Sequence, residues 1–425
     1  MSGAGQPNFS HQTIWTADNL DILRGMNSGC VDLIYLDPPF NSNANYAAPI
    51  GSQAAGAEFK DTWGLSDINL AWHGEIKHDH PGLYSLLLAT QQIHGDSMMS
   101  YLIYMAIRIM ELYRVLKDTG SIYLHCDPTA SHYLKLLLDS TFGKRNFRRE
   151  IIWHLRGASG YKALANDWIR GHDTVLYYAK SRNHTFNKIW LPYDEKQLKR
   201  FSSVDEHGRK YKPITKERRL YLDDAKGVPA TTVWSDVASF QTVVNSKERT
   251  GYPTQKPLKL LQRIIRASSN VGDLVLDPFC GCATACIASE LEDREWAGID
   301  ISPKAADLVE ERLVKEVGVF HQGIHRTDSP QRTDLQDVIR YNHPDNKKYL
   351  YGEQGGYCNG CEEHFEMRHL EVDHIIPKSK GGTDHISNLQ LLCAHCNRLK
   401  GTKTQEELIV LLTDKGWIKR KKKAA

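Results

Sequence analysis

The chain has 425 residues, enough for two or more domains with separate cores, and an ordinary make-up of 41% hydrophobic and 25% charged residues. Its 54 basic and 51 acidic side chains leave a formal charge of only +3, which excludes a globally basic or acidic polyelectrolyte. The longest apolar stretch, 101–116, carries Arg108, Glu111 and Arg114 at helical spacing, which excludes a membrane span in favour of an amphipathic core helix.

From Ile14 to about Ile152 apolar strands alternate with helices: a strand over 31–36, the helix over 101–116, a strand over 121–125, and a helix through 133–138. Such alternation predicts an α/β fold around a doubly wound, parallel, Rossmann-like sheet. The stretch from Asn41 to Met98 is rich in Gly, Ala and His without periodicity, and is expected to be a functional or mobile loop. Residues 143–250 interleave Arg145, Arg148, Arg149, Arg170, Lys196, Lys199, Arg200, Lys210, Lys212, Lys216, Arg218 and Arg219 with Trp153, Trp168 and several tyrosines, a composition open to nucleic-acid contact or to an ordinary solvated face. A helix over 258–268 then leads into a strand at 274–276, and a second short strand covers 296–300. The polar segment 321–348 reads as a linker. At the far end, Lys419, Arg420, Lys421, Lys422 and Lys423 form a local positive run that suits either a polyanion or a solvated tail.

The residues 1–5 lack the charged and apolar regions of a secretory signal, so the nine cysteines are expected to be reduced in a cytoplasm. Four of them form Cys358-x-x-Cys361 and Cys393-x-x-Cys396, a tetrathiolate pattern for structural Zn2+.

Two further segments each follow an apolar strand and carry a carboxylate into a turn: Asp37-Pro38-Pro39-Phe40, and Asp277-Pro278-Phe279-Cys280-Gly281-Cys282-Ala283-Thr284. Loops of this kind belong at the carboxyl edge of a parallel sheet, where doubly wound folds bind ligands. With Thr254-Gln255-Lys256-Pro257 just before the second, they resemble the amino-directed DNA methyltransferases of the beta class, in which the Asp-Pro-Pro segment precedes the glycine turn. The resemblance spans about 1–320, with 143–250 as candidate target-recognition region, and implies S-adenosylmethionine as cofactor and double-stranded DNA as partner.

A conjugated exocyclic amine is a poor nucleophile until acceptors turn its lone pair out of the ring plane. Asp37 and the Pro38 carbonyl would each accept one N–H, held by Pro38 and Pro39, while Phe40 stacks on a base flipped from the duplex. The small-residue turn lets backbone N–H groups reach a carboxylate. The resemblance further implies that Asp277 holds the cofactor ammonium, Asp300 the ribose hydroxyls and Asp18 the adenine, that Thr254, Lys256 and Pro257 line the methionine end, and that Phe279, Gly281 and Thr284 complete the cofactor site. Asp before the prolines favours adenine N6, with cytosine N4 as the alternative. Ala283 stands where such families commonly have a second glycine. Cys280, Cys282 and Cys286 lack a Pro-Cys context and are expected to be small packing residues.

Residues from about 349 to 412, within a domain expected over 349–425 with its basic tail, resemble the HNH endonucleases through Cys358, Cys361, Glu371-Val372-Asp373-His374-Ile375-Ile376-Pro377, Gly381-Gly382, Asn388-Leu389, Cys393 and Cys396-Asn397-Arg398. The resemblance implies a zinc-braced ββα-metal module in which His374 is the general base, Asp373 and Asn397 hold one Mg2+ or Mn2+, and Asn388 orients the loop. His369, His385 and His395 are expected to be packing or surface residues. Together the two resemblances imply a bacterial or phage-type modification and restriction enzyme. The alternatives are a module that only binds DNA, or a non-catalytic scaffold; monomer and homodimer both stay open.

Overall fold

The computed structural model describes residues 5–39, 44–47, 58–61, 76, 80–155, 164, 166–240, 242–243, 246–252, 255–318, 323–334, 340–380, 384 and 386–418. Phe40, Thr254, Gly381, Gly382, His385, the run 419–423 and much of 41–79 lie outside the described residues.

Nine strands form one sheet: β1 Thr13–Thr16, β2 Val31–Leu36, β3 Leu116–Cys126, β4 Phe147–His154, β5 His172–Ala179, β6 Val233–Trp234, β7 Leu274–Asp277, β8 Glu295–Asp300 and β9 Ile324–Arg326. Their order is β6-β4-β5-β3-β2-β7-β8-β1-β9. Pairing is parallel from β3 to β9, while β5 runs antiparallel to both β3 and β4. The sheet is therefore mixed, with its parallel part where the strand alternation predicted it.

Helices α1 Asn19–Gly25, α2 Pro81–His94, α3 Asp96–Val115 and α4 Ser131–Leu138 precede α5 Leu258–Ser268, α6 Thr284–Glu290 and α7 Pro303–Glu316. One buried cluster joins Trp15, Ile22, Leu23, Ile34, Tyr101, Leu102, Ile109, Leu112 and Ile122, so α1 and α3 cover one face. Leu33, Tyr35, Val175, Leu261, Ile264, Ile265 and Val275 pack the other face under α5. Such two-sided cover explains why β2 and β7 are nearly continuous apolar runs. Ordered helix α2 occupies part of the stretch expected to be loop.

Part of the basic and aromatic region is core. Trp153 is buried on β4, its Nε1 donating to the Val237 carbonyl at 2.9 Å, whereas Trp168 is almost wholly exposed. A small antiparallel sheet of Ser203–Val204, Lys210–Pro213 and Arg219–Tyr221 follows β5.

Within 321–348, expected as linker, Ile324–Arg326 joins the main sheet beside β1, and α8 Pro344–Glu353 begins before 348. Strands β10 Leu370–His374 and β11 Leu389–Cys393 then pair antiparallel, followed by α9 Ala394–Lys400 and α10 Gln405–Asp414. Leu350, Leu370, Leu391, Leu392, Leu408 and Leu412 form their separate core. Among the described residues no helix is long and apolar enough to cross a membrane.

Candidate active sites

Four carboxylates reach the carboxyl edge from four neighbouring parallel strands: Asp37 after β2, Asp277 ending β7, Asp300 ending β8 and Asp18 after β1. Register fixes this meeting, since Leu276 lies opposite Ile34, Asp277 opposite Gly298 and Asp300 opposite Thr16.

Pro38 and Pro39 have no N–H to extend the ladder, so β2 stops and presents Asp37. One carboxylate oxygen, Oδ2, pairs with the Lys256 ammonium, and both side chains are largely buried. The other, Oδ1, is buried and finds no hydrogen-bond partner among the described residues. An unpaired buried acceptor costs on the order of 1–3 kcal/mol and is best explained by a donor that arrives from outside. Pro257 caps α5 with extended backbone, which aims Lys256 at this edge.

The glycine turn lies at the same edge. Asp277 accepts the Phe279 amide at 3.1 Å, and Asp300 accepts the amides of Gly281 and Ser302, both at 2.8 Å. Gly281 has φ +50°, and a Cβ there would stand 2.8 Å from the Tyr252 ring. Ala283 adopts φ +54° and is fully buried, so the chain accepts a left-handed alanine where the resemblance led one to expect a second glycine. Thr284 is turned toward Arg312, whose guanidinium donates to its hydroxyl at 3.1 Å. Cys280 and Cys286 close on the backbone of Gly298, where a Cβ would meet their sulfurs at 3.1 and 3.0 Å. Burial pushes both thiols well up, as fits packing residues.

Asp18 caps α1 by accepting the Leu20 amide at 2.8 Å, and it also pairs with Arg108 at 2.7 Å. Arg108, expected on the polar face of its helix, is instead buried: it donates to Asn19 at 2.6 Å, and its guanidinium lies 3.4 Å over the Tyr104 ring. Asn19 donates to the Pro278 carbonyl at 2.7 Å, and Tyr104 meets Phe279 with ring centroids 6.3 Å apart. Asp18, Tyr104, Phe279 and Asp300 thus gather at one end of the edge. Tyr104 and Arg108 were not legible as site residues, although their i,i+4 spacing puts them on one helix face.

Burial raises the carboxyls of both Asp277 and Asp300, and the charges of Asp37 and Asp300 push Asp277 further. Lys256 eases the ionisation of Asp277, and a cationic ligand would ease the repulsion among these carboxylates further. S-adenosylmethionine, with an ammonium and a sulfonium, fits that donor set. Beside it lies a network whose centre sequence reasoning missed: buried His125 bridges the Tyr35 hydroxyl and Asp173, each at 3.1 Å, and the exposed Arg170 pairs with Asp173 and with Asp127.

In the second unit the sulfurs of Cys358, Cys361, Cys393 and Cys396 all lie within 4.8 Å of one another. Cys358 Sγ accepts amides from Gly360 at 3.3 Å and Cys393 at 3.2 Å, as thiolates in a zinc knuckle do. Gly360 is required there, because a Cβ would stand 2.9 Å from Cys396 Sγ. The site fits Zn2+, with four protein ligands and no open position.

His374 ends β10, and its Nε2 lies 2.6 Å from Asp384 Oδ1; Lys378 holds the other oxygen at 2.8 Å. Asn388 clamps the loop after His374 by exchanging two hydrogen bonds with the Ile376 backbone. Asp373 pairs with buried Lys400 at 2.9 Å, and Asn397 donates to Glu371 at 2.7 Å, so the two residues expected to share a cation each have a protein partner. Asp384 was missed; the signal was a lone carboxylate in the polar turn between the two strands.

A family model described as DNA methylase matches residues 31–311, and one described as HNH endonuclease matches 358–403. The chain is 29% identical over 265 residues to Type II methyltransferase M.EcaI of Enterobacter cloacae, covering 50% of this chain and 57% of that protein. It is 26% identical over 311 residues to Type II methyltransferase M.HpaI of Haemophilus parainfluenzae, covering 73% and 76%. It is also 26% identical over 302 residues to DNA adenine methyltransferase YhdJ of Escherichia coli K12, covering 71% and 82%. The matched ranges contain the Asp37 edge and the Cys358–Asn397 unit respectively, in the beta-class order of motifs. The chain belongs to the DNA methylase family and carries an HNH endonuclease domain behind the methylase fold.

Proposed function

We propose that this chain transfers a methyl group from S-adenosylmethionine to an exocyclic amine of a flipped base in double-stranded DNA, adenine N6 before cytosine N4, and that its HNH domain hydrolyses DNA phosphodiesters. The observation that carries the first half is the Asp37 carboxylate, one oxygen fixed by Lys256 and the other buried and open to a donor.

The cofactor supplies an activated methyl when bound. The chain's residues do the rest: Asp37 Oδ1 and the Pro38 carbonyl accept the two N–H bonds, which aligns the nitrogen lone pair with the methyl carbon. The buried carboxylates of Asp277 and Asp300 hold the cationic and hydroxyl groups of the cofactor, and the Arg108–Tyr104–Phe279 wall closes its adenine end. Incubating unmodified duplex with cofactor labelled in the methyl group tests this reading. Label should enter DNA with the wild type and not with Asp37→Ala.

In the HNH domain, Asp384 accepting from Nε2–H leaves Nδ1 of His374 as the lone-pair nitrogen, suited to take a proton from water. Asp373 and Asn397 would hold Mg2+ or Mn2+. The Lys400 ammonium on Asp373 favours a second reading, a zinc-braced module that only binds DNA. Metal-dependent nicking of supercoiled plasmid decides between them.

A further inference from the structure

Beyond β9 the chain reaches the segment Gly25–Ser28 that precedes β2, and there residues 330–334 are strapped down. Gly25 closes against Pro330 so tightly that a Cβ would stand 2.0 Å from the Pro330 carbonyl oxygen. Asn8 donates to the carbonyls of Gly25 at 2.8 Å and Gln331 at 2.6 Å. Buried Asn27 exchanges two 2.8 Å hydrogen bonds with Thr333, through its own Nδ2 and the Thr333 amide. Asp334 accepts the Ser28 amide at 2.8 Å and pairs with Arg332 at 2.9 Å, and Arg332 also reaches the Ser28 hydroxyl.

Past the strap, α8 makes a second contact with the same end of the methylase fold. Glu353 pairs with Arg24 at 2.5 Å, and the Arg24 guanidinium lies 5.9 Å from the centroid of the Tyr349 ring. Asp21 on α1 and Glu111 on α3 also bear on the Tyr349 hydroxyl. Arg24 closes α1 just before β2, and Glu111 closes α3 just before β3, so the seat lies at the amino ends of those strands. Asp37 lies at the carboxyl end of β2, six residues and therefore about 20 Å away.

We propose that the HNH domain is docked by this strap and the Arg24–Glu353 pair at the amino edge, away from the methyl-transfer edge, so that cleavage falls outside the methylated sequence at a set offset. The offset rests on the nuclease reading above; the docking does not.

Sequencing the ends cut from a duplex with one methylatable site tests the offset. Wild type should cut at a single displaced position. Combining Asp334→Ala with Arg24→Glu should scatter the cuts while methylation is unchanged, and the swap Arg24→Glu with Glu353→Arg should restore one position. Cuts beside the methylated base, or one offset that survives both lesions, would overturn the proposal. Absence of cutting on any DNA with Mg2+ or Mn2+ would instead remove the nuclease reading, and hydrogen exchange of the full chain then decides the docking. The Ser28 and Thr333 amides should be protected in the wild type, with Ser28 exchanging on the order of tenfold faster in Asp334→Ala. Unprotected amides in the wild type would overturn it.

Discussion

Replacing Asp37 by Asn separates catalysis from folding. The amide keeps the shape but loses the charge that faces Lys256, and the pair is nearly buried, with side-chain exposures of 14% and 9%. Removing one partner of such a pair costs about 3 kcal/mol, which lowers Tm by about 6 °C for a domain of this size. Lys256 keeps a further contact, which holds the loss at that lower end. Catalysis loses more. Losing an acceptor that polarises the reacting group in the transition state costs about 10²–10³ in rate. Asp37→Asn combined with Lys256→Met removes the stranded charge and should regain most of the stability without regaining the rate. Thermal unfolding and single-turnover methyl transfer on the three variants give both numbers. If the double variant recovered methylation along with Tm, or if Asp37→Asn alone stayed within tenfold of wild type, Asp37 would be a structural residue.

The raised carboxyl of Asp277 binds a proton when the site lacks a cation, so protons compete with the cofactor. Cofactor affinity measured by calorimetry should therefore strengthen as pH rises toward that raised pKa and level off above it; a flat profile would remove Asp277 as the ammonium ligand. Gly281→Ala adds a Cβ against Tyr252 at positive φ, at a cost of about 1–2 kcal/mol, and should raise KM for the cofactor about tenfold with kcat little changed. Cys358→Ser should lose zinc by elemental analysis and unfold the HNH domain, since zinc binding contributes on the order of 10 kcal/mol to such folds, while methylation persists. Asp384→Asn should slow cleavage by about 10–100-fold by releasing the His374 ring, and leave zinc content intact.

Where one physical signal dominated, structure was legible in the chain. Helix α5 is observed over Leu258–Ser268 and β2 over Val31–Leu36, the expected bounds, because apolar period and a proline or glycine stop coincide there. The helix expected from 101 starts at Asp96, just after Gly95 with its positive φ ends α2. Strand β3 runs from Leu116 rather than 121, since buried Leu116 pairs with Val31 ahead of a register shift that takes up the polar residues after it. The antiparallel strands β4 and β5 were hidden because Arg148 and Arg149 in β4 and Arg170 just before β5 read as a contact surface, whereas Ile151, Trp153, Val175 and Tyr177 alternate into the core. That Asp37, Asp277 and Asp300 meet at one sheet edge was legible from their turns. Arg108, Tyr104, His125, Asp173 and Asp384 were not, because pairing between distant segments leaves no local pattern. Phe40 and Thr254 lie outside the described residues.

Nucleoside mass spectrometry after incubating unmethylated duplex with the full chain and S-adenosylmethionine, without divalent metal, tests the central claim most directly. The account predicts N6-methyladenine. N4-methylcytosine would keep the Asp37 mechanism and reverse the base preference, and no methylated base, with cofactor binding demonstrated on the same sample, would contradict the assignment of the Asp37 edge to methyl transfer.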